Sequence, residues 1–159
     1  MYYKGGGTSV KLSARGDYAC RAMAELAGGH GPMKAEHVAV AQHIPLKFLE
    51  NILLQLKHAG LLESQRGGDG GYWLAREPGT ISIADIIRAV EGPLANVRGQ
   101  RPESLHYVDS AEPLKEVWIA VRANIRAVLE RVTLAHVLTG DLPEAVRRLA
   151  RDLDAWMSH

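Results

Sequence analysis

One arginine and four glycines lie within the segment RGGDGG at residues 66 to 71. An arginine binds phosphate or carboxylate oxygens and base edges, and glycine allows positive φ and close backbone approach. The segment lacks the lysine and the following helix of a phosphate-binding loop. The chain also shows no nucleophile paired with a base and no metal-ligand spacing. We therefore expect a binding protein rather than an enzyme.

The residues on both sides of this segment predict a β-hairpin. Residues 61 to 65 begin with two leucines, and residues 72 to 75 are apolar and rich in the aromatic and branched types that strands favour, so we read both as short strands. The glycines then form the turn, and Arg66 lies at its tip. An arginine there could be only solvated, so its role depends on the neighbouring elements.

Helical periodicity precedes the hairpin. A first helix begins after Ser13, a suitable N-cap, and ends at Gly28 and Gly29. A short second helix covers residues 34 to 42. Pro45 cannot continue that helix but suits the first turn of the next one. The pattern predicts two short helices joined by a tight turn.

The third helix runs from Pro45 to about Ala59, and Gly60 ends it at the C′ position. Its apolar positions follow helical spacing and are Phe48, Leu49, Ile52, Leu53 and Leu56. The positions left facing outward are Lys47, Glu50, Asn51, Gln55 and Lys57. The order helix, turn, helix, hairpin is that of a winged DNA-binding domain.

The charge of the chain gives this interpretation little support. The chain has 19 Lys and Arg residues and 18 Asp and Glu residues, which gives a formal net charge of +1. A DNA-binding protein usually has a clearly basic surface. Affinity would have to come from placement, dimerisation and backbone amides. A protein-interaction module that has lost DNA binding is therefore the alternative.

Two further helical patterns follow the hairpin. Residues 81 to 90 form a short amphipathic helix entered through Ser82, with Asp85 as its capping-box-like partner. Residues 94 to 110 are mixed in character and predict a connecting loop. Apolar residues then recur from 114 to 132 along a helix of roughly twenty residues or more, about 30 Å long. Such a helix is longer than the preceding domain needs, so we expect it to pack on a partner helix.

The chain divides into four parts on this pattern. Residues 1 to 9 lack periodicity and predict a flexible leader, and residues 10 to 92 form the winged helix-turn-helix domain. Residues 93 to 110 connect it to a dimerisation helix and a C-terminal helix within 111 to 159. The last helix has one apolar face, formed by Val146, Leu149, Leu153 and Trp156. The expected fold class is mainly α with a small β-hairpin wing.

Composition narrows the class of protein. An apolar content of 47% is enough for a genuine core. No run approaches the roughly 18 apolar residues of a membrane-spanning helix, and the N-terminus has no secretory signal, so we expect a cytoplasmic protein. A single cysteine, Cys20, excludes an internal disulfide framework and any zinc or iron–sulfur site built mainly from thiolates of one chain.

Three segments in this order and spacing resemble a known family. They are KLSARGDYACRAMAELA at 11 to 27, HIPLKFLENILLQLKHAGLLESQRGGDGGYWLAR at 43 to 76 and ISIADIIRAVEGPL at 81 to 94. They resemble the Rrf-two (Rrf2) family of bacterial winged helix-turn-helix transcriptional regulators, and the long C-terminal helix matches in pattern only. The resemblance implies a homodimer with crossed long helices, whose winged domains meet successive major grooves of a pseudo-palindrome in double-stranded DNA.

The same resemblance implies a set of DNA-contacting residues: Pro45, Lys47, Glu50, Asn51, Arg66, Gly67 and Gly68. Their chemistry fits these roles. Glu50 can accept from a cytosine amino group, Asn51 can pair with adenine or phosphate, and Lys47 can reach guanine or phosphate. The positive charge of Arg66 suits a narrow, electronegative minor groove.

Cluster-binding members of the family carry three cysteines in the loop before the long helix, and residues 92 to 113 contain none. We therefore expect no iron–sulfur cluster, no metal and no other cofactor. His106 and Asp109 are hard-ligand candidates, but without thiolates beside them we interpret them as solvated residues. The resemblance points to the clusterless branch and hence to cysteine metabolism.

Cys20 and Trp118 each allow two interpretations. Cys20 lies beside small apolar residues and predicts core packing, whereas a redox switch would need exposure and a lowered pKa. Trp118 lies on the apolar stripe of the long helix and predicts dimer core, with an effector pocket as the alternative. The sequence thus predicts a DNA-binding repressor. The alternative is a redox or iron–sulfur sensor that uses Cys20 or non-cysteine ligands. A small-molecule or protein effector stays open.

Overall fold

The computed structural model describes residues 12 to 157, so the predicted leader at 1 to 9 lies outside the described residues. The first part contains α1 (Ala14–Gly28), α2 (Ala35–Gln42), α3 (Leu46–His58), β1 (Leu62–Gln65), β2 (Gly71–Leu74) and α4 (Ile83–Glu91). The second part contains α5 (Leu114–Leu129), α6 (Leu134–Thr139) and α7 (Glu144–Arg151). The expected fold class, mainly helical with a two-stranded hairpin, is confirmed.

The core of the first part lies between α1, α3 and α4. The helix α3 buries the stripe Leu49, Ile52, Leu53 and Leu56, each with 0% exposure. Each such side chain stabilises the fold by roughly 1.5–3 kcal/mol through burial. The predicted apolar position Phe48 is wrong as a core residue, because it is 61% exposed. It lies about 100° around the helix from Leu49, at the edge of a stripe that is complete without it.

Capping residues set the helix boundaries as the sequence predicts. The Ser13 side chain accepts a hydrogen bond from Gly16 N at 3.0 Å at the start of α1. Ser82 and Asp85 form a full capping box at the start of α4, with both hydrogen bonds at 3.0 Å. Pro45 occupies the N-cap position of α3, directly after the turn that ends α2. Local side-chain chemistry therefore decides where these elements begin.

The hairpin pairs β1 with β2 in antiparallel register, from Leu62 opposite Leu74 to Gln65 opposite Gly71. Met33, in the loop before α2, extends this small sheet through two hydrogen bonds with Tyr72, at 3.0 and 2.9 Å. The hairpin is thus fastened to the helical part on its outer side as well as to α3.

Residues 93 to 110 are more structured than a plain connecting loop. Leu94, Pro102 and Leu105 are buried. Short 3-10 turns lie at Pro102–Ser104 and Asp109–Ala111. Apolar side chains scattered at these positions have no periodicity, so the sequence pattern could not reveal their burial.

The prediction of one long helix through residue 132 is wrong, because α5 ends at Leu129. Thr133 starts α6 with a capping box, and its amide donates to His136 Nδ1 at 3.0 Å. Leu134 is fully buried in the main core and its amide donates to Ile81 O at 3.0 Å. The division into parts at 92 and 110 stays a prediction, and α6 packs with the first part.

The predicted C-terminal helix is shorter than residues 142 to 156. The α-helix covers Glu144–Arg151 and a 3-10 turn covers Leu153–Trp156. Val146 on its apolar face is half-buried, whereas Leu149, Leu153 and Trp156 are exposed, Leu153 by 83% and Trp156 by 78%. Between residues 12 and 157, no helix has the length and apolar character needed to cross a bilayer.

Candidate DNA-binding surface

The start of α3 carries four of the predicted DNA-contacting residues. We call Pro45, Lys47, Glu50 and Asn51 the recognition surface, and all four are exposed. Pro45 has no side chain that can cap the helix, so the first amide groups of α3 can donate to a phosphate oxygen. Exposed polar side chains and helix N-terminal amide groups that could bind a phosphate therefore share one end of the helix.

Arg15 on α1 contacts the recognition surface through side chains of α3. Its guanidinium donates to Asn51 Oδ1 and to Gln55 Oε1 on α3, and its Nε donates to Val90 O at the end of α4 at 3.2 Å. The bond to Arg15 leaves the amide NH2 of Asn51 as a donor. Asn51 can then donate to an adenine N7 or a phosphate, but its oxygen is already engaged. Sequence reasoning missed Arg15, because residues 15 and 51 are far apart in the chain.

Phe48 lies between the polar residues of the recognition surface and is 61% exposed. An exposed aromatic side chain there can contact a thymine methyl group. The sequence pattern assigned Phe48 to the core because its apolar character fits the helical spacing. Only the packing around α3 shows that it faces outward.

The tip of the hairpin, residues 66 to 70, is held in shape by its backbone. Gly70 N donates to Gly67 O at 3.1 Å. The same carbonyl accepts a hydrogen bond from Lys34 Nζ, at the start of α2. Arg66, Gly67 and Gly68 are exposed. The tip therefore projects into solvent on an anchored turn, and Lys34 is a second residue that sequence reasoning missed.

The strands of the hairpin are tied to α3 and to each other by side chains. Lys57 Nζ, near the end of α3, donates to Ser64 Oγ at 2.8 Å. Trp73 Nε1 donates to Glu63 Oε2 at 2.9 Å across the two strands. In the described part of the chain, no hydrogen bond or ion pair joins Arg66 to the recognition surface. The two regions are thus positioned separately, by the hairpin strands and by α3.

The loop between α4 and α5, within the described residues 12 to 157, contains the two hard-ligand candidates His106 and Asp109. No group of three His, Cys, Asp or Glu side chains there is arranged to hold a metal ion. His106 and Asp109 are exposed. Trp118, on α5, is half-buried and its Nε1 donates to the Tyr107 hydroxyl in this loop at 2.8 Å.

Cys20 packs against both apolar clusters of the protein. Burial, with smaller contributions from the charges of Asp17 and Glu91, raises the pKa of its thiol to about 12. A thiol with such a pKa is protonated at neutral pH, and the protonated form is neither the nucleophile nor the metal ligand. These contacts support the packing interpretation of Cys20.

Two helices joined by a tight turn, the second with an exposed polar face, and an anchored glycine-rich hairpin define a winged helix-turn-helix DNA-binding protein. A sequence model of the Rrf2 family, described as iron-dependent transcriptional regulator, matches residues 12 to 140. The chain belongs to this family of DNA-binding transcriptional regulators.

Individual relatives agree with this assignment. The chain is 47% identical over 149 residues to Rv1287 of Mycobacterium tuberculosis, assigned as an HTH-type transcriptional regulator, with 92% of each chain covered. The solved structure of CymR, the global cysteine regulator of Bacillus subtilis, matches with a TM-score of 0.68 and 35% identity, covering 82% of this chain and 97% of CymR. IscR of T. potens matches with a TM-score of 0.67 and 39% identity, covering 85% and 90%.

Proposed function

We propose that the protein is a cytoplasmic, homodimeric repressor that binds a pseudo-palindromic operator without an iron–sulfur cluster or other cofactor. The observation that carries this proposal is the exposed recognition surface on α3 together with the anchored, exposed wing tip. Each protomer would place α3 in a major groove and the wing tip against the adjacent minor groove.

The residue roles follow from the chemistry of each side chain. Lys47 would bind guanine or phosphate, and Glu50 would accept from a cytosine amino group. Asn51 would donate to adenine or phosphate from its free NH2 group, because Arg15 holds its oxygen. Arg66 would enter the minor groove, while Gly67 and Gly68 let the backbone approach the phosphates.

The surface of α5 supports a dimer. None of its residues is buried in the single chain. Leu114, Val117 and Ala120 lie on one side of α5 and are all exposed, Leu114 by 40% and Val117 by 48%. Small and apolar residues on one helix face allow a second helix to pack closely, and the exposed Asn124 is a polar residue on the same side. A second copy of α5 is the partner that a symmetric dimer supplies.

Two observations support the clusterless branch and a link to cysteine metabolism. Residues 92 to 113 contain no cysteine, and the Bacillus subtilis protein CymR, similar over most of this chain, is named as a global cysteine regulator. An effector that controls operator binding would then be a small molecule or a partner protein.

The test is a selection of genomic DNA fragments by the protein purified without oxygen, with its absorption spectrum recorded first. We expect one enriched motif with dyad symmetry and a colourless protein. The affinity for that motif should fall linearly on a log–log plot against salt, because phosphate contacts release counterions. Visible absorption bands of a cluster would contradict the cofactor-free proposal.

The near-neutral charge favours a second candidate, a protein-interaction module. It predicts that no DNA motif is enriched and that any residual DNA binding is independent of sequence. The selection experiment therefore distinguishes the two functions directly.

A further inference from the structure

A pocket of about 470 Å³ opens between the end of α4, the following loop and α5. Four arginines from these three segments line it: Arg88, Arg101, Arg122 and Arg126. Gly92, Pro93 and Leu94 also line the wall. Four guanidinium groups in one concave surface provide many donors for an anion.

Carboxylates neutralise only part of this positive charge. Glu130 accepts from Arg88 and, at 3.0 Å, from Arg126 Nε, while Glu103 accepts from Arg122. These bonds hold the pKa of Glu130 below its ordinary value, so it stays ionised. Two carboxylates against four arginines leave two positive charges.

One further acidic residue, Asp85, does not change that balance. Asp85 lies 3.9 Å from Arg88 Nη1, but it also lies 3.6 Å from Arg76 outside the pocket and accepts the Ser82 amide in the capping box. Arg101 has no ion-pair partner among residues 12 to 157 and is exposed to solvent. Its guanidinium can therefore turn towards a ligand without breaking an existing contact.

Asn96 supplies a second, independent observation. It lines the same pocket, and its Oδ1 atom is buried without a hydrogen-bond partner in the described residues. An unpaired buried polar atom costs about 1–3 kcal/mol, and a donor on a ligand would remove that cost. The pocket thus combines excess positive charge with one acceptor that lacks a donor.

We propose that this pocket binds a small dianion of the phosphate-ester or dicarboxylate class that also carries a hydroxyl or amino group for Asn96. Inorganic phosphate would fill only a fraction of the volume, so the ligand is an organic anion of several carbon atoms. Arg88 belongs to α4, whereas Arg122 and Arg126 belong to α5. Bound anion would therefore hold α5 in one orientation relative to the winged part.

A consequence for regulation rests on the proposed function. If α5 forms the dimer, an anion that fixes α5 against α4 also fixes the spacing of the two winged domains. Operator affinity should then change by about tenfold on saturation with the anion, a common size for such coupling.

Binding is tested on the full chain by isothermal titration calorimetry at fixed chloride. The titrants are glycerol 3-phosphate and malate, which separate the two anion classes, and succinate, which lacks the hydroxyl group. We expect one of the first two to bind with a Kd of roughly millimolar or below, and succinate to bind more weakly than malate if the dicarboxylate is preferred. If neither binds more tightly than roughly 10 mM, the proposal is overturned.

Matched variants locate the site. Arg101→Gln and Arg122→Gln should each weaken binding by about tenfold, since each removes a charged donor. Arg148→Gln, on the exposed part of α7, should bind as the unchanged protein does. Asn96→Leu should remove any advantage of malate over succinate. Equal affinity in Arg101→Gln and Arg148→Gln would place the anion elsewhere and refute the pocket assignment.

The two proposals fail separately. Selection of a DNA motif without anion binding would refute the pocket and leave the DNA-binding role intact. Anion binding without any DNA motif would refute the proposed function, together with the regulatory consequence, and support the pocket.

Discussion

Arg66 lies on a turn whose shape depends on backbone groups and on Lys34 rather than on its own side chain. Replacing Arg66 with Ala should weaken operator binding by about 1–3 kcal/mol and reduce the preference for a narrow minor groove. Thermal stability should hardly change. A gel-shift titration at fixed salt measures the effect, with Arg148→Ala as the control. Equal binding by both variants would remove Arg66 from the DNA interface.

Glu50 is the acidic member of the recognition surface, and the proposed function gives it the role of accepting a hydrogen bond from a base. Glu50→Lys should shift the preferred base at one position of each half-site from cytosine towards guanine, because an acceptor becomes a donor. A binding-site selection with randomised DNA would measure this shift. Glu36→Lys, on the exposed start of α2, is the control for added charge alone. If both variants select the unchanged motif, Glu50 does not read a base.

Cys20 makes the stability of the protein depend on pH in the alkaline range. The folded-state pKa is about 12 against an ordinary value of 9.0. The folded thiol therefore keeps its proton where the unfolded thiol loses it. The thiol's contribution is complete below pH 9 and is lost as pH rises towards 12. Urea titrations at pH values of about 8 and 10.5 measure the free energy of unfolding. Between these values it should fall more in the unchanged protein than in Cys20→Ala. An equal loss of stability in both proteins would show that the Cys20 thiol is accessible to water.

Among the elements, the hairpin depends on a close backbone approach at Gly71. Gly71 has φ of +148°, and a Cβ atom there would lie 2.6 Å from the Met33 carbonyl carbon. Gly71→Ala should therefore reduce the free energy of unfolding by about 2 kcal/mol. Gly68→Ala is the control, because nothing lies within 4 Å of its added Cβ, and it should change stability by less than about 0.5 kcal/mol. A similar loss in both variants would contradict the close Met33 contact.

The elements that the sequence predicted well have local causes. Ser13, Ser82 and Gly60 mark helix ends through their own side chains or backbone freedom, and the glycine-rich turn marks the hairpin. The break between α5 and α6 was missed although Thr133 and His136 form a capping box. Val132 continues the apolar spacing of α5, so periodicity hid a boundary that burial of Leu134 decides.

At the scale of the whole molecule, the proposed dimer places its interface on the exposed side of α5. Val117→Asp should convert the dimer to a monomer and weaken operator binding, because it places a charge in an apolar interface. Ala123→Asp is the control, since Ala123 is exposed and lies about 120° around the helix from Val117. Sedimentation analysis of both variants measures the result. A dimeric Val117→Asp would place the interface on another surface.

The sequence alone determined the class of fold, the helix-turn-helix and its hairpin, and the outward position of Lys47, Glu50, Asn51 and Arg66. These features depend on spacing, capping and turn chemistry, which are local. The tertiary structure decided which residues support them. Examples are the contact of Arg15 with Asn51, the contact of Lys34 with the wing tip, and the outward orientation of Phe48. The arginine-lined pocket is a fourth example. They arise because packing brings together segments that are distant in the chain, and no local pattern encodes that proximity.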